Sequence, residues 1–485
     1  MGFTPLDYGI VAAYLIAVAM FGYLRGGRQR SAQEYFLGKD AIPWWVVCFS
    51  IVAAETSTLT FISIPGLAYL TNLNFLQVTF GYLLGRILIG LVFLPAYYRG
   101  ELSTAYAFLE SRFGLPTRRF ASIVFLLTRL AADGVRLFAT AIPLQLIADV
   151  SYPVAILVLA CVACAYTFAG GVRGVIWVDA VQMFIYLGGA VVTMVVLVAG
   201  HDAGWSGAIA FAAEAGKFQI LNFGTGESFF QQPYTVMAGV LGGAFLSMAS
   251  HGTDQLIVQR VLTTKALAAG RKALIGSGVL IILQFAIFLV VGLLLYGHYN
   301  GATLENLGVT RSDEIFPKFI IEELPPGVSG LIIAGLLAAA LSTLAGSMSS
   351  MSSSVVLDLY KPLARTAFTA EQELRFSRSL TGVAAILLVG AAVFFMNTNQ
   401  TVVELALSIA SFTYGGLLGT FLLGVLFKRP RQSDAVAGFT AGILAMVAVI
   451  WLQIVAWTWY TMVGVCVTLA VGGLLSGLSR RTSGP

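Results

Sequence analysis

The sequence predicts an all-α polytopic membrane protein of about thirteen transmembrane helices, and three observations predict it. Of the 485 residues, 58% are hydrophobic and only 11% charged, where a soluble chain of this size carries roughly a quarter charged residues. The mean hydropathy is +0.87, and apolar runs recur from Leu6 to Leu475, each of about 20 residues and so long enough as a helix to cross a hydrocarbon core of roughly 30 Å. The net charge of +5 is spread over short basic clusters between these runs, never on one soluble face, which argues against a nucleic-acid partner.

The predicted spans are 5–25, 43–70, 74–99, 118–149, 152–170, 174–199, 233–258, 268–297, 326–360, 376–396, 400–428, 432–454 and 456–478. The first is a retained span and not a signal peptide, because the acidic Asp7 and no basic stretch precedes its apolar core, and no small-residue cleavage site follows. The second carries Ala53-Ala54-Glu55-Thr56-Ser57-Thr58-Leu59-Thr60 at its middle and then Pro65-Gly66, a composition that interrupts a helix. The third holds Arg86, for which the sequence offers no partner. On the fourth, Arg129, Asp133 and Arg136 fall at i, i+4 and i+7 and so share one face. They either neutralise one another as a buried triad or present a guanidinium to a substrate carboxylate.

The seventh span has Gly239, Gly242 and Gly243, then Ser247, Ser250, His251, Gly252, Thr253 and Asp254. That is either a second interruption or a ridge of small residues for close helix packing. The ninth holds the densest small-polar run, from Ala338 through Ser342, Thr343, Ser347, Ser349, Ser350, Ser352, Ser353 and Ser354 to Asp358. Its hydroxyls, set against carbonyls freed by a broken helix, would suit a hard monovalent cation, and a packing ridge is the alternative. Glu404 opens the eleventh span, where a carboxylate also suits a helix N-terminus. Cys48, Cys161, Cys164 and Cys466 all lie in apolar spans and read as small core residues, with no metal site. His201 and His298 fall at external span ends and read as solvated. No Ser/His, paired-Asp or metal-ligand set suggests an enzyme.

Lysine and arginine concentrate in the loops around 25–39, 99–119, 260–272, 361–378 and 428–431, whereas the opposite loops are acidic, with Glu305, Asp313, Glu314, Glu322 and Glu323. The basic side is therefore cytoplasmic, the N-terminus outside and the C-terminus inside a cell (cytoplasmic, inner) membrane. The longest external stretches, 200–232 and 298–325, can hold short interfacial helices but no core of their own. The whole of 1–485 thus forms one transport domain. The two interrupted spans each begin a run of five, which predicts a first inverted repeat over 43–199 and a second over 233–428, with 5–25 and 432–478 as additional helices.

Several local motifs carry a resemblance. They are Thr60-Phe61-Ile62-Ser63-Ile64-Pro65-Gly66-Leu67-Ala68-Tyr69; Ser103-Thr104-Ala105-Tyr106 with Phe108-Leu109-Glu110-Ser111-Arg112-Phe113; Tyr166 through Gly170-Gly171 to Trp177-Val178-Asp179-Ala180-Val181-Gln182; Asp254-Gln255 with Gln259-Arg260; and Ala338 through Thr343 to Asp358-Leu359-Tyr360-Lys361. In this order over nearly the full length, the chain resembles the sodium:solute symporter family, in framework closest to its sialic acid branch.

The resemblance implies the 5+5 inverted-repeat fold of the leucine transporter and a sodium site. Its ligands would be the carbonyls of Ala53, Thr56 and Ala339 and the hydroxyls of Ser342 and Thr343, with Asp179 near the exit. A second sodium site found in some members would need hydroxyls where this chain has Ala345 and Gly346, so one coupled sodium is expected. The solute site implied by position comprises Glu55, Ser57, Thr60, Phe75, Thr79, Ser247, Ser250 and His251. Arg136 joins it as a carboxylate receptor, about one turn from the arginine of the sialic acid branch. Glu55 departs from the relatives, and would bind a substrate ammonium, pair with Arg136, or be protonated. The function expected is sodium-coupled symport of a small organic solute, leaning to a carboxylate-bearing sugar acid such as sialic acid or to another organic acid. A sugar, polyol or amino acid symporter is the alternative, and an ion channel the alternative of another class. Partners would be the solute, sodium and membrane lipid around a monomeric transport unit.

Overall fold

The computed structural model describes residues 3–478 apart from 101, 149, 225, 227–228, 365–367 and 397–401. All regular structure among the described residues is helical. Helix α1 (Pro5–Gly26) starts on a proline, whose missing N–H has no partner at a first turn anyway. Asp7, read from sequence only as a sign of a retained span, accepts the N–H groups of Gly327 and Gly330 at 2.7 and 2.8 Å and so docks α1 on a distant helix start.

After the short α2 (Ala32–Leu37), the second span is two helices, α3 (Trp44–Glu55) and α4 (Thr58–Leu70), inclined to each other by 63°. The interruption falls at Thr56-Ser57, and α4 runs on through Pro65. Next come α5 (Leu76–Val92), α6 (Leu94–Arg99), α7 (Ala107–Phe113) and α8 (Leu115–Ala148). The predicted spans 152–170 and 174–199 lie in one 48-residue run, α9 (Tyr152–Ala199), whose backbone leaves helical geometry at Gly171, φ 57°. That value is in the region glycine alone adopts freely. Outside the spans, α10 (Gly204–Glu214) answers the expectation of a short interfacial helix.

The seventh span enters through a π-helical turn at Ala238–Gly242 into α11 (Gly243–Gly252), then breaks at Thr253-Asp254 before α12 (Gln255–Leu262). Both readings of its composition hold, in different places. The glycines serve packing: a Cβ at Gly243 would sit 2.5 Å from the Val78 carbonyl, and one at Gly85 2.5 Å from that of Ala244. The break itself is made by Asp254, whose carboxylate accepts the Leu256 N–H at 2.9 Å and caps α12. The chain continues through α13 (Leu267–His298), α14 (Ile315–Glu322), α15 (Val328–Ser354), α16 (Ala370–Phe395), α17 (Val402–Leu426), α18 (Gln432–Leu452) and α19 (Tyr460–Leu478). The Glu404 side chain lies outside the described residues.

Among the described residues, nine helices are long and apolar enough to cross a membrane, and the bent α3/α4 pair makes ten. Of the remaining predicted segments, that at 118–149 is α8, which carries Arg129, Asp133 and Arg136, and that at 233–258 is divided between α11 and α12. Helix α15 is central: 89% of its most apolar stretch is buried, against 22% for α1. It packs on α9, α8, α16, α1 and α3, and its serines mostly tie it to these neighbours, Ser352 donating to the Ser377 carbonyl of α16 at 2.8 Å and Ser354 sharing a hydrogen bond with the Ser122 hydroxyl of α8 at 3.0 Å. The cysteine expectation needs correction. Cys48 is buried, but Cys161 and Cys466 are exposed on outward helix faces and Cys164 is half-buried, because an apolar span is as apolar towards lipid as towards the core.

Candidate cation and solute site

The break in α3/α4 leaves carbonyls at the end of α3 without the N–H partners a continuous helix would supply. Thr343 of α15 points at them. Its Oγ1 lies 3.3 Å from the Ala54 carbonyl oxygen, 3.5 Å from that of Thr56 and 3.3 Å from that of Ala339. A hydroxyl has one hydrogen, so it satisfies one of these three oxygens and leaves a cluster of acceptors in excess of donors. Such an uncharged oxygen cluster can take the place of a hydration shell around a hard monovalent cation. Thr56, Ala339 and Thr343 of the predicted set meet here, and Ala54 joins them; Ala53 is buried in the adjacent turn of α3.

The Thr56 hydroxyl is engaged otherwise. It donates to the Val52 carbonyl at 2.7 Å and accepts from Gln284 Nε2 of α13 at 2.7 Å. The Tyr186 hydroxyl of α9 lies 3.2 Å from it and 2.9 Å from Gln284 Oε1. This three-way pin holds the break open and leaves the Thr56 carbonyl free. Sequence reading missed Gln284 and Tyr186, single polar groups in apolar runs.

Ser342, the other predicted hydroxyl, donates to Asp179 Oδ1 at 2.7 Å. Ser50 donates to Asp179 Oδ2 at 2.6 Å and Arg260 Nη2 to the same oxygen at 2.9 Å. Asp179 is fully buried. Arg260 also occupies the room beside Gly346, where a Cβ would lie 2.4 Å from Nη2.

Glu55, the last residue of α3, does not pair with Arg136. It is hydrogen-bonded to Arg86 of α5, and His251 Nε2 lies 3.3 Å from the same carboxylate oxygen. Arg86 in turn donates through Nη1 to Ser277 of α13 at 2.7 Å. Arg86, for which the sequence offers no partner, is thus the partner of Glu55, which their 31-residue separation on two helices conceals. His251 Nδ1 is 2.8 Å from the Ser250 hydroxyl.

On α8, Asp133 receives Arg129 at 3.3 Å and Arg136 at 2.7 Å, so the face predicted to be self-partnering is. It also reaches outward: Arg129 is ion-paired to Asp254 at the α11/α12 break, and Ser347 of α15 donates to Asp133. Arg136 uses only Nη1 and its side chain is 24% exposed. Of the other predicted solute residues, Ser57 stands at the N-cap position of α4 without a side-chain capping bond and is buried, and Thr60 is half-buried one turn on. Thr79 donates to the Leu76 carbonyl at 2.8 Å and Ser247 to that of Tyr82 at 3.0 Å. Phe75 stacks on Phe285 at 5.1 Å and borders a cavity of about 320 Å³ with Tyr234 and Asn222. The set therefore divides into a Glu55/Ser250/His251 group, an Arg136 group and an aromatic group around Phe75. Among the described residues, no three His, Cys, Asp or Glu side chains are grouped to hold a metal ion.

A helical bundle with two interrupted spans, in which freed backbone oxygens meet a hydroxyl of the central helix, is the architecture of a cation-coupled secondary transporter. The comparisons with known proteins name the kind. The chain belongs to the sodium:solute symporter family, whose profile matches residues 35–442. It is 31% identical to the sodium/sialic acid symporter NanT of Aliivibrio fischeri over 99% of this chain and 94% of that protein. To the sodium/sialic acid symporter SiaT of Proteus mirabilis it is 30% identical, over 92% and 90%. A solved substrate-bound, outward-open structure of a Na+-coupled sialic acid symporter matches with a TM-score of 0.89 at 27% identity, covering 98% of each chain. Mhp1, a nucleobase-cation-symport-1 family transporter, matches with a TM-score of 0.54 at 13% identity over 91% and 94%, a likeness of fold alone. The leucine-transporter-like fold class and the sodium-coupled symport expected from sequence both stand, and the protein is a multi-pass membrane transporter and not an enzyme.

Proposed function

We propose that this symporter imports one small organic solute with one sodium ion by alternating access, and that the solute is a carboxylate-bearing sugar acid such as sialic acid, or a related organic acid. The observation that carries the coupling is the convergence of Thr343 Oγ1 on the carbonyls of Ala54, Thr56 and Ala339 across the broken helix. In this reading Ala53, Thr56, Ala339, Ser342 and Thr343, with Ala54, hold the ion, and Asp179 marks its exit. Ala345 and Gly346 support a single sodium, since neither carries a hydroxyl and the Arg260 guanidinium fills the room beside Gly346. A sugar acid carried as its anion with one sodium crosses without net charge, so the sodium concentration gradient drives uptake, each tenfold ratio being worth about 1.4 kcal/mol.

The solute class draws support from the two relatives named for sialic acid transport and from Arg136, a half-committed guanidinium able to receive a carboxylate. Glu55, Ser57, Thr60, Phe75, Thr79, Ser247, Ser250 and His251 complete the solute surface. An amino acid is less well served, because Arg86 already neutralises Glu55, the group an ammonium would seek. The two runs 43–199 and 233–428 act as the inverted repeats of a monomeric unit in lipid, with the basic loops cytoplasmic and the N-terminus outside. Proteoliposomes loaded at low sodium test the coupling: sialic acid should accumulate under an inward sodium gradient and not in choline or potassium, and equal accumulation without sodium would overturn it.

A further inference from the structure

Glu55 carries an oxygen without a hydrogen-bond partner among the described residues. Its Oε2 is hydrogen-bonded to Arg86 and stands 3.3 Å from His251 Nε2, whereas Oε1 accepts no hydrogen bond from any described residue. The partners sit on α5 and α11, and Arg86 is tied onward to Ser277 on α13, so helices surround the carboxyl and it faces the bundle interior. The side chains of Arg86 and His251 are 0% and 3% exposed, but that of Glu55 is 17%. The accessible edge of the cluster is therefore an acceptor oxygen, presented beside the α3/α4 break.

Access to water weakens the attraction within an ion pair, and it spares the exposed group its desolvation cost. Here the acid is left open and the base is sealed. Because Arg86 balances the charge of Glu55, a solute cation has no net charge to meet, but a neutral O–H gains a charge-assisted hydrogen bond of the stronger kind. We propose that Glu55 is a specificity-determining residue that accepts a hydrogen bond from a solute hydroxyl through Oε1, with Arg86 and His251 holding the carboxylate in place. This deepens the sugar-acid reading and rests on it: the solute carboxylate meets Arg136 and a ring or side-chain hydroxyl meets Glu55, so hydroxylated acids are preferred over plain ones.

The test uses the purified full-length protein in sodium, with thermal stabilisation titrated by N-acetylneuraminate, by its deoxy analogues and by pyruvate. In Glu55→Gln, Arg86 claims the amide oxygen and turns the NH2 towards the solute, so a charge-assisted bond gives way to a neutral one in which the hydroxyl accepts. Affinity for N-acetylneuraminate should fall about tenfold, whereas the one deoxy analogue that lacks the contacted hydroxyl should bind wild type and variant alike. Affinity for pyruvate and stabilisation by sodium alone should be unchanged. Equal losses for N-acetylneuraminate and pyruvate, or no loss for either, overturn the proposal. If Glu55→Gln does not fold, the charge-balanced pair Glu55→Gln with Arg86→Gln is measured against the same outcomes. If no acid stabilises the wild type, the sugar-acid reading fails by itself. Glu55-dependent stabilisation by galactose or inositol then upholds the hydroxyl contact, and none by any of them overturns both.

Discussion

Thr343 has one hydrogen and three carbonyls within reach, and that mismatch is the chemical content of the proposed cation site. Thr343→Ala removes one ligand oxygen and leaves carbonyls crowded without a donor. It should raise the sodium concentration for half-maximal thermal stabilisation about tenfold, each lost ligand contact being worth about 1.5 kcal/mol. With Ser342→Ala added, sodium-stimulated uptake should disappear, and normal sodium dependence in that double variant would move the site elsewhere. Gln284 is predicted to matter although it touches no solute. Gln284→Leu leaves the buried Thr56 and Tyr186 hydroxyls without their shared partner and should cost about 1–3 kcal/mol, visible as a lower Tm in the absence of sodium. The hydroxyls were legible because they stand in a dense polar run. Gln284 was not, because its partners lie 228 and 98 residues away.

Helices are interrupted here by different means. In the second span the break sits at Thr56-Ser57, stabilised by contacts from α13 and α9, and proline is not its cause. Pro65 is accommodated within α4 where α13 comes close, a Cβ at Gly292 lying 2.2 Å from the Pro65 carbonyl. In the seventh span Asp254 makes the break and glycines make the packing. Gly243→Leu should therefore destabilise by about 1–3 kcal/mol through overpacking, and an unchanged Tm would show that α5 and α11 can separate at no cost. The end of α4 has its own clamp. Lys217, from the segment 200–232, donates to the Tyr69 and Thr71 carbonyls at 2.7 and 2.8 Å, as a cation at a helix C-terminus should. Lys217→Met should cost about 1–2 kcal/mol in Tm measurements. The sequence marks Lys217 only as a rare base on an acidic side.

Across the whole molecule, buried ion pairs join the segment 43–199 to the segment 233–428 at the end that carries the basic loops. Arg129 of α8 is paired with Asp254, Arg260 of α12 with Asp179 of α9, and Arg118 of α8 with Asp358 beyond α15, through Nε at 2.8 Å. Alternating access requires that such cross-links part and re-form. Arg129→Met, which strands Asp254 and part of the Asp133 network, should lower stability by about 3–5 kcal/mol. Adding Asp254→Asn should restore part of that loss, and strict additivity in the double-mutant cycle would rule the link out. All three pairs use a motif residue legible as a resemblance, and in Arg260–Asp179 both partners are. The pairing itself was not, since each acid and base could as well have neutralised a sequence neighbour.

The sequence by itself determined the membrane class, the order of the spans, the basic and acidic faces and the family. All of these follow from local apolarity and from motifs in order, which need no knowledge of what lies opposite. Only the tertiary structure decided that Glu55 meets Arg86 and His251 instead of Arg136, that Ala54 joins the oxygen cluster, that Gln284 pins the break and that three of the four cysteines are not in the core. A membrane helix is apolar all round. The direction a side chain faces, and the partner its buried charge finds, is therefore set by which helices pack against it and not by the periodicity of its own segment.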